Sequence, residues 1–96
     1  MPVLYRISTG ETITVTKKVF RLGKAEACVD YVVSNNSAVS RSHADIICRE
    51  NHYFVFDLGS KNKSYINNRV LPSQNEVEIY NGDILKLANE EFEFRL

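Results

Sequence analysis

Apolar and polar residues alternate over several stretches of the chain with the two-residue period of a β-strand. In residues 91–96 this pattern places Phe92, Phe94 and Leu96 on one side and mainly charged side chains on the other. Residues 12–15 alternate in the same way. We therefore expect strands in both segments, with Phe92, Phe94 and Leu96 facing a hydrophobic core.

Runs of aromatic, aliphatic and β-branched residues predict further strands over residues 44–49, 53–56 and 84–87. Apolar residues do not recur with the 3.6-residue period of a helix, and residues 25–27 are expected to form one helical turn at most. Many short strands separated by turns are typical of an antiparallel sandwich or barrel, so the chain is predicted to be all-β.

Three short polar segments predict turns between these strands. Thr9 and Gly10 are expected to close a first hairpin, and Glu50 with Asn51 a second one before residue 52. Asn81-Gly82 is a typical sequence of a type I′ hairpin turn, which needs a positive φ at both central residues.

The length and composition of the chain limit its class. We expect 96 residues to form a single domain over 1–96. A hydrophobic fraction of 44% and a charged fraction of 25% are those of a folded protein rather than a disordered segment. No apolar run approaches the roughly 20 residues of a membrane-spanning helix, and no secretion signal is visible.

Cys28 and Cys48 are too few for a disulfide framework, and neither has the spacing of a zinc ligand. We therefore expect a reduced, cytoplasmic protein with no metal and no cofactor.

Charge is balanced overall but unevenly distributed. Residues 17–69 include nine basic and five acidic residues, a net +4, whereas residues 70–96 include two basic and six acidic ones, a net −4. Such a separation gives a neutral protein a local positive field. The overall balance does not predict binding to nucleic acid or to a membrane.

No known catalytic motif is present, and the sequence does not predict an enzyme. The chain contains the residue types of a Ser-His-Asp catalytic triad, namely Ser40, His43 and Asp57. The sequence offers neither an oxyanion hole nor a positioned base for such a triad, so a structural role is the better interpretation.

Three polar segments without strand character, residues 23–30, 34–41 and 59–64, are expected to contain the functional residues. The side chains in them that could bind an anion or a peptide backbone are Lys24, Ser40, Arg41, Lys61 and Asn62. If the segments meet at one end of a sandwich, their charge-assisted hydrogen bonds to phosphate would contribute about 1.5–3 kcal/mol each. The Asn62 amide can both donate to and accept from a peptide backbone.

Motifs in these segments closely resemble those of the forkhead-associated (FHA) domain, in the same order and spacing. They read Gly23-Lys24, Ser40-Arg41-Ser42-His43-Ala44, and Asp57-Leu58-Gly59-Ser60-Lys61-Asn62-Lys63-Ser64-Tyr65-Ile66-Asn67. The resemblance covers nearly the whole chain. It implies a two-sheet antiparallel β-sandwich of about eleven strands, of the FHA/SMAD type, whose loops at one end bind phosphothreonine peptides.

The resemblance also implies a role for each matching residue. Ser40 and Arg41 would bind the phosphate, aided by Lys24 and Lys61, and Asn62 would hold the peptide backbone beside the phosphothreonine. Gly23 and His43 would support the loops without touching the ligand. The implied partner is a phosphothreonine-containing protein bound in signalling or complex assembly, and we expect a monomeric, non-catalytic module of a larger multidomain protein.

The sequence departs from the family pattern at three positions. Lys24 replaces an arginine, Lys61 stands where a small hydroxyl residue often contacts phosphate, and Lys63 replaces a glycine. An ammonium lacks the planar fork with which a guanidinium grips phosphate, so weaker binding is expected. If the replaced glycine has a positive φ, lysine at position 63 costs about 1 kcal/mol.

Two alternatives remain open, the first because of these departures and the second because of the net +4 of residues 17–69. One is a degenerate FHA-fold scaffold that binds its partner independently of phosphate. The other is binding to a nucleic-acid backbone through the basic segment, which would weaken steeply with salt.

Overall fold

The alternating segments of the chain form eleven β-strands and one short 3-10 helix in the computed structural model, which describes all 96 residues. The strands are β1 (Val3–Arg6), β2 (Glu11–Thr14), β3 (Val19–Gly23), β4 (Tyr31–Val32), β5 (Ala44–Arg49), β6 (His52–Asp57), β7 (Ser64–Ile66), β8 (Arg69–Val70), β9 (Glu76–Ile79), β10 (Ile84–Leu87) and β11 (Glu90–Arg95). The 3-10 helix, Glu26–Cys28, includes part of the predicted helical turn. The all-β prediction with about eleven strands is confirmed.

Two sheets share these strands. One has the order β2-β1-β11-β10-β7-β8 and the other β4-β3-β5-β6-β9. Every pairing is antiparallel except that of β3 with β4. Their register places the end of β3, the start of β5 and the end of β6 at the same end of the sandwich. The start of β7 joins them there, because the Ser64 hydroxyl donates to the Asp57 carboxylate over 2.6 Å.

The core has 17 buried apolar side chains, of which 13 lie on the strands of the two sheets and four in connecting segments: Val15, Val33, Val39 and Leu71. Phe92 and Phe94 are completely buried there, as the alternation predicts. Leu96 is 68% exposed, so its predicted place in the core is wrong. The reason is that β11 ends at Arg95, and Leu96 therefore lies beyond the paired part of the sheet.

Two of the predicted hairpin turns are confirmed. Glu50 and Asn51 join β5 to β6 with φ values of 52° and 65°, the positive pair that a type I′ turn requires. Gly10, with a φ of 75°, lies in the connection between the paired strands β1 and β2.

The predicted type I′ turn at Asn81-Gly82 is wrong. The strands on either side, β9 and β10, lie in different sheets, so this turn does not close a hairpin. Only Gly82 has a positive φ, 89°, and the Asp83 N–H donates to the Tyr80 carbonyl over 3.0 Å. This arrangement is typical of a type II turn, which needs a positive φ only at its third residue.

An ion pair is buried between the sheets, and the sequence pattern does not predict it. Arg6, 2% exposed, donates from Nε to the carboxylate of Glu90, 6% exposed, over 2.8 Å. The hydrogen bond from Arg6 lowers the pKa of Glu90 to about 2, and the carboxylate in turn raises the pKa of Arg6. Further Arg6 hydrogen bonds to the Ser34 carbonyl and to the Tyr31 hydroxyl satisfy the guanidinium.

The cysteines, possible metal ligands and possible membrane spans can also be located in the structure. Cys48 lies in β5 as expected, and both cysteines are free thiols. No group of three or more His, Cys, Asp or Glu side chains is arranged to hold a metal ion. None of the helical segments is long or apolar enough to cross a membrane.

Candidate functional site

Three loops meet at the end of the sandwich where β3 and β6 end and β5 begins. The main-chain N–H groups of Lys24 and Ala25 donate to the carbonyls of Ser40 and Arg41, over 3.1 and 3.2 Å. The Lys61 N–H donates to the Ser40 hydroxyl oxygen over 3.1 Å. The structure therefore brings together the three segments that the sequence singles out. We refer to their common edge, formed by residues 23–25, 38–41 and 61–63, as the rim.

Gly23 allows the first two loops to approach each other. A Cβ atom added at this position would lie 2.0 Å from the Arg41 carbonyl oxygen and 3.0 Å from that of Ser40. Both neighbours are main-chain atoms, which cannot swing aside as the end of a flexible side chain can. Only glycine fits here without moving the backbone of Ser40 and Arg41.

His43 connects the second loop to the third from a completely buried position. Its Nδ1 accepts a hydrogen bond from the Ser40 N–H over 3.0 Å, and its Nε2 donates to the Lys63 carbonyl over 2.9 Å. This pattern requires the neutral ring, and burial lowers the pKa of His43 in agreement with it. The contacts suit the supporting role that the family resemblance implies.

Asp57 organises the third loop, which gives a specific form to the structural role expected from the sequence. Its carboxylate accepts hydrogen bonds from the hydroxyls of Ser60 and Ser64, both over 2.6 Å, and from the N–H groups of Gly59 and Ser60. Burial alone would raise the pKa of Asp57, but these hydrogen bonds outweigh it and lower the pKa. An aspartate two residues before a Gly-Ser pair is a recognisable turn signal and could have identified this residue.

Ser40, His43 and Asp57 do not form a proton relay. His43 Nδ1 binds the main-chain N–H of Ser40 rather than its hydroxyl. Nε2 donates to the Lys63 carbonyl and lies 4.0 Å from the nearest Asp57 oxygen. The three side chains therefore link loops rather than activate a nucleophile.

Ser40 and Asn62 keep hydrogen-bonding groups available for a ligand. The Ser40 oxygen accepts from Lys61, which leaves its hydroxyl proton free to donate. The exposed Asn62 amide donates one N–H to the Ala38 carbonyl over 2.8 Å. Its second N–H and its carbonyl oxygen remain available, which is the donor and acceptor pair needed to bind a peptide backbone.

The predicted cationic side chains at the rim, Lys24, Arg41 and Lys61, are all exposed. Lys24 Nζ donates to the Ser37 carbonyl over 3.3 Å, which uses one of its three protons and ties the first loop to the second. None of the three lies within ion-pair distance of a carboxylate.

A turn below the rim braces two of the loops, and the sequence interpretation missed it. Ala88, between β10 and β11, donates its N–H to the Lys63 carbonyl over 2.9 Å. The Asn36 amide donates to Glu90 Oε1 over 2.8 Å, and its carbonyl oxygen accepts from the Ala38 N–H over 3.0 Å. Glu90 therefore contributes to the position of the second loop as well as to the buried ion pair.

Lys63 has a φ of 68°, in the left-handed region that favours glycine. Lys63→Gly is therefore expected to raise the free energy of unfolding by up to about 1 kcal/mol, measured by urea denaturation. Lys61→Gly is the matched control, because Lys61 is not among the residues with a positive φ. It is expected to lower the free energy of unfolding by about 0.4–1 kcal/mol, because glycine adds entropy to the unfolded chain. Equal effects of the two substitutions would contradict the strain at position 63.

Comparison with known proteins agrees with this architecture. The family model described as FHA domain matches residues 20–88 of the chain. No protein among the curated sequences matches it.

Solved structures of several organisms share the fold. EmbR of Mycobacterium tuberculosis, in complex with a low-affinity phosphopeptide, superimposes with a TM-score of 0.89 at 26% identity over 98% of this chain. The match covers 24% of the EmbR chain, so the present chain spans about a quarter of its length.

Two shorter structures match over nearly their whole length. The N-terminal FHA domain of Rad53p from S. cerevisiae, in complex with a phosphothreonine peptide, gives a TM-score of 0.90 at 15% identity, covering 100% of this chain and 93% of that one. The FHA domain of CT664 from Chlamydia trachomatis gives 0.88 at 22% identity, covering 99% and 96%.

Proposed function

Because this chain belongs to the FHA domain family, we propose that it binds phosphothreonine-containing segments of partner proteins. The observation that supports the proposal best is the meeting of three loops at one rim. Their hydrogen bonds place the Ser40 hydroxyl, the Arg41 guanidinium and the Asn62 amide on directly linked segments.

Each of these groups suits one part of a phosphopeptide. The Ser40 hydroxyl donates to a phosphate oxygen, and the positive charges of Arg41, Lys24 and Lys61 compensate the charge of about −1.5 to −2 that a phosphothreonine has at pH 7. Asn62 uses its free N–H and carbonyl oxygen to hold the peptide backbone beside the phosphothreonine. Gly23 and His43 keep the loops in place and do not contact the ligand.

This function makes the domain an interaction module in signalling or complex assembly rather than a catalyst. Residues 1–96 act as one monomeric, cytoplasmic domain without a cofactor, within a larger multidomain protein. The length of the EmbR chain, of which the matched part is 24%, supports the last point.

Arg41→Ala tests the proposal. Loss of a guanidinium paired with phosphate is expected to cost about 2 kcal/mol of binding free energy, or roughly thirtyfold in Kd. Isothermal titration with a phosphothreonine peptide selected from a library, and with its unphosphorylated twin, measures this. Arg69→Ala is the matched control, since Arg69 is an exposed arginine on β8 that makes no ion pair and lies outside the three loops.

Two outcomes would contradict the proposal. Equal affinity for both members of every peptide pair would indicate a scaffold that binds independently of phosphate, and Arg41→Ala would then leave partner binding intact. Affinity that falls steeply with salt and ignores the peptide sequence would indicate a binder of nucleic-acid backbone.

A further inference from the structure

The rim has more positive charge than a single phosphate requires. Its four cations are Lys24, Arg41, Lys61 and Lys63, all of them exposed and none in an ion pair with a carboxylate. Elsewhere on the molecule, Arg6, Lys17, Arg21, Arg49 and Arg95 are each paired with a carboxylate. Three cations outside the loops, Lys18, Arg69 and Lys86, are also unpaired, so the rim differs in having four such charges on loops that meet.

A single bound phosphothreonine would compensate only part of the positive charge of the rim. A phosphothreonine has a charge of about −1.5 to −2 at pH 7, whereas the four rim cations sum to +4. The buried, ionised Asp57 carboxylate of the third loop offsets one of these charges, so a complex with a neutral flanking sequence would keep an excess of roughly one positive charge at the rim. Ligands with further negative charge close to the phosphothreonine would compensate the excess.

Lys63 is the rim cation best placed to interact with a neighbour of the phosphothreonine. It follows Asn62, the residue proposed to hold the peptide backbone. Its own carbonyl accepts hydrogen bonds from His43 Nε2 and from the Ala88 N–H, over 2.9 Å each, so the base of the side chain is fixed at the rim. The ammonium group of Lys63 makes no hydrogen bond or ion pair, unlike those of Lys17, Lys24 and Lys86.

We propose that Lys63 is a specificity determinant that selects peptides with an acidic side chain within about three residues of the phosphothreonine, since an extended peptide rises about 3.3 Å per residue. This inference rests on the proposed function and adds a preference that phosphate binding alone does not give. Lys24, Ser40 and Arg41 bind the phosphate, whereas Lys63 pairs with the acidic side chain that flanks it.

A double-mutant cycle tests the inference. Phosphothreonine peptides with a single Glu, scanned over three positions on each side, are compared with matched Gln peptides by isothermal titration at low salt. At the best position the native protein is expected to prefer Glu about three- to fivefold, the upper part of the range of an exposed ion pair. Lys63→Gln keeps the length of the side chain but removes its charge, and it is expected to reduce the preference to less than about 1.5-fold.

A charge-reversal variant and a control variant test whether the charge of Lys63 causes the preference. Lys63→Glu is expected to invert the preference, so that a Lys peptide binds more tightly than the Glu peptide at the same position. Lys18→Gln, at an exposed lysine before β3 and outside the three loops, is expected to leave the preference of the native protein unchanged.

The results separate this inference from the proposed function. Native protein that prefers phosphorylated over unphosphorylated peptides, but binds Glu and Gln peptides equally at every position, would overturn the role of Lys63 alone. A Glu preference that survives in Lys63→Gln would also overturn it. Loss of phosphate dependence in the native protein would overturn both proposals together.

Discussion

Replacing Glu90 with alanine is expected to lower the free energy of unfolding by about 3–5 kcal/mol, because it leaves a buried guanidinium without its counter-charge. Arg6 is 2% exposed, and Glu90 is the only carboxylate with which it forms an ion pair. The substitution also removes one of the two acceptors of the Asn36 amide, the other being the side-chain oxygen of Asn89. Urea denaturation at equilibrium, followed by fluorescence or circular dichroism, measures the loss.

Glu93→Ala is the control for this experiment, since Glu93 lies on the same strand and pairs with Arg95. Their side chains are 33% and 47% exposed, so solvent screens the pair and its loss is expected to cost about 0–1 kcal/mol. If Glu90→Ala and Glu93→Ala proved equally mild, the buried pair would not stabilise the sandwich.

Gly23→Ala is expected to lower the free energy of unfolding by about 3 kcal/mol and to weaken phosphopeptide binding at least tenfold. The added Cβ would lie 2.0 Å from the Arg41 carbonyl oxygen, so the backbone of Ser40 and Arg41 has to move. Both residues are proposed to contact phosphate, which couples the structural change to affinity. Denaturation and peptide titration of the same variant measure the two effects.

Gly82→Ala separates steric clash from backbone strain. Gly82 has a φ of 89° but no heavy atom within 4 Å of an added Cβ, whereas Gly23 has the clash without a positive φ. Alanine at position 82 is expected to cost about 1 kcal/mol of stability and to leave peptide affinity unchanged. A similar loss of affinity in both variants would show that Gly23 acts only through global stability.

Local patterns predicted most of the architecture. The type I′ turn at Glu50 and Asn51 was detectable because it joins two strands that pair directly with each other. Asn81-Gly82 has the more typical sequence for such a turn, yet it connects different sheets. Sequence shows where the chain can reverse its direction, but which strands then pair is decided by packing between sheets.

The candidate site was predicted through motifs rather than through periodicity, and the limits of the prediction follow from this. Gly23, His43 and Asn62 are found where the motif spacing implies that loops meet. Asn36 and Glu90 escaped notice because their contact joins residues 54 positions apart in the chain. A buried carboxylate in a strand that contains several exposed charged residues resembles them in sequence until its partner is known.

The hydrogen bonds that connect the loops also affect the thermodynamics of ligand binding. The links made by His43, the Lys63 carbonyl and the Asn62 amide exist without a ligand. An incoming peptide therefore meets preorganised loops, and the conformational entropy of ordering these loops has already been lost during folding. Affinity then depends mainly on the ordering of the peptide itself, so a ligand that is stiff in its extended form has the advantage.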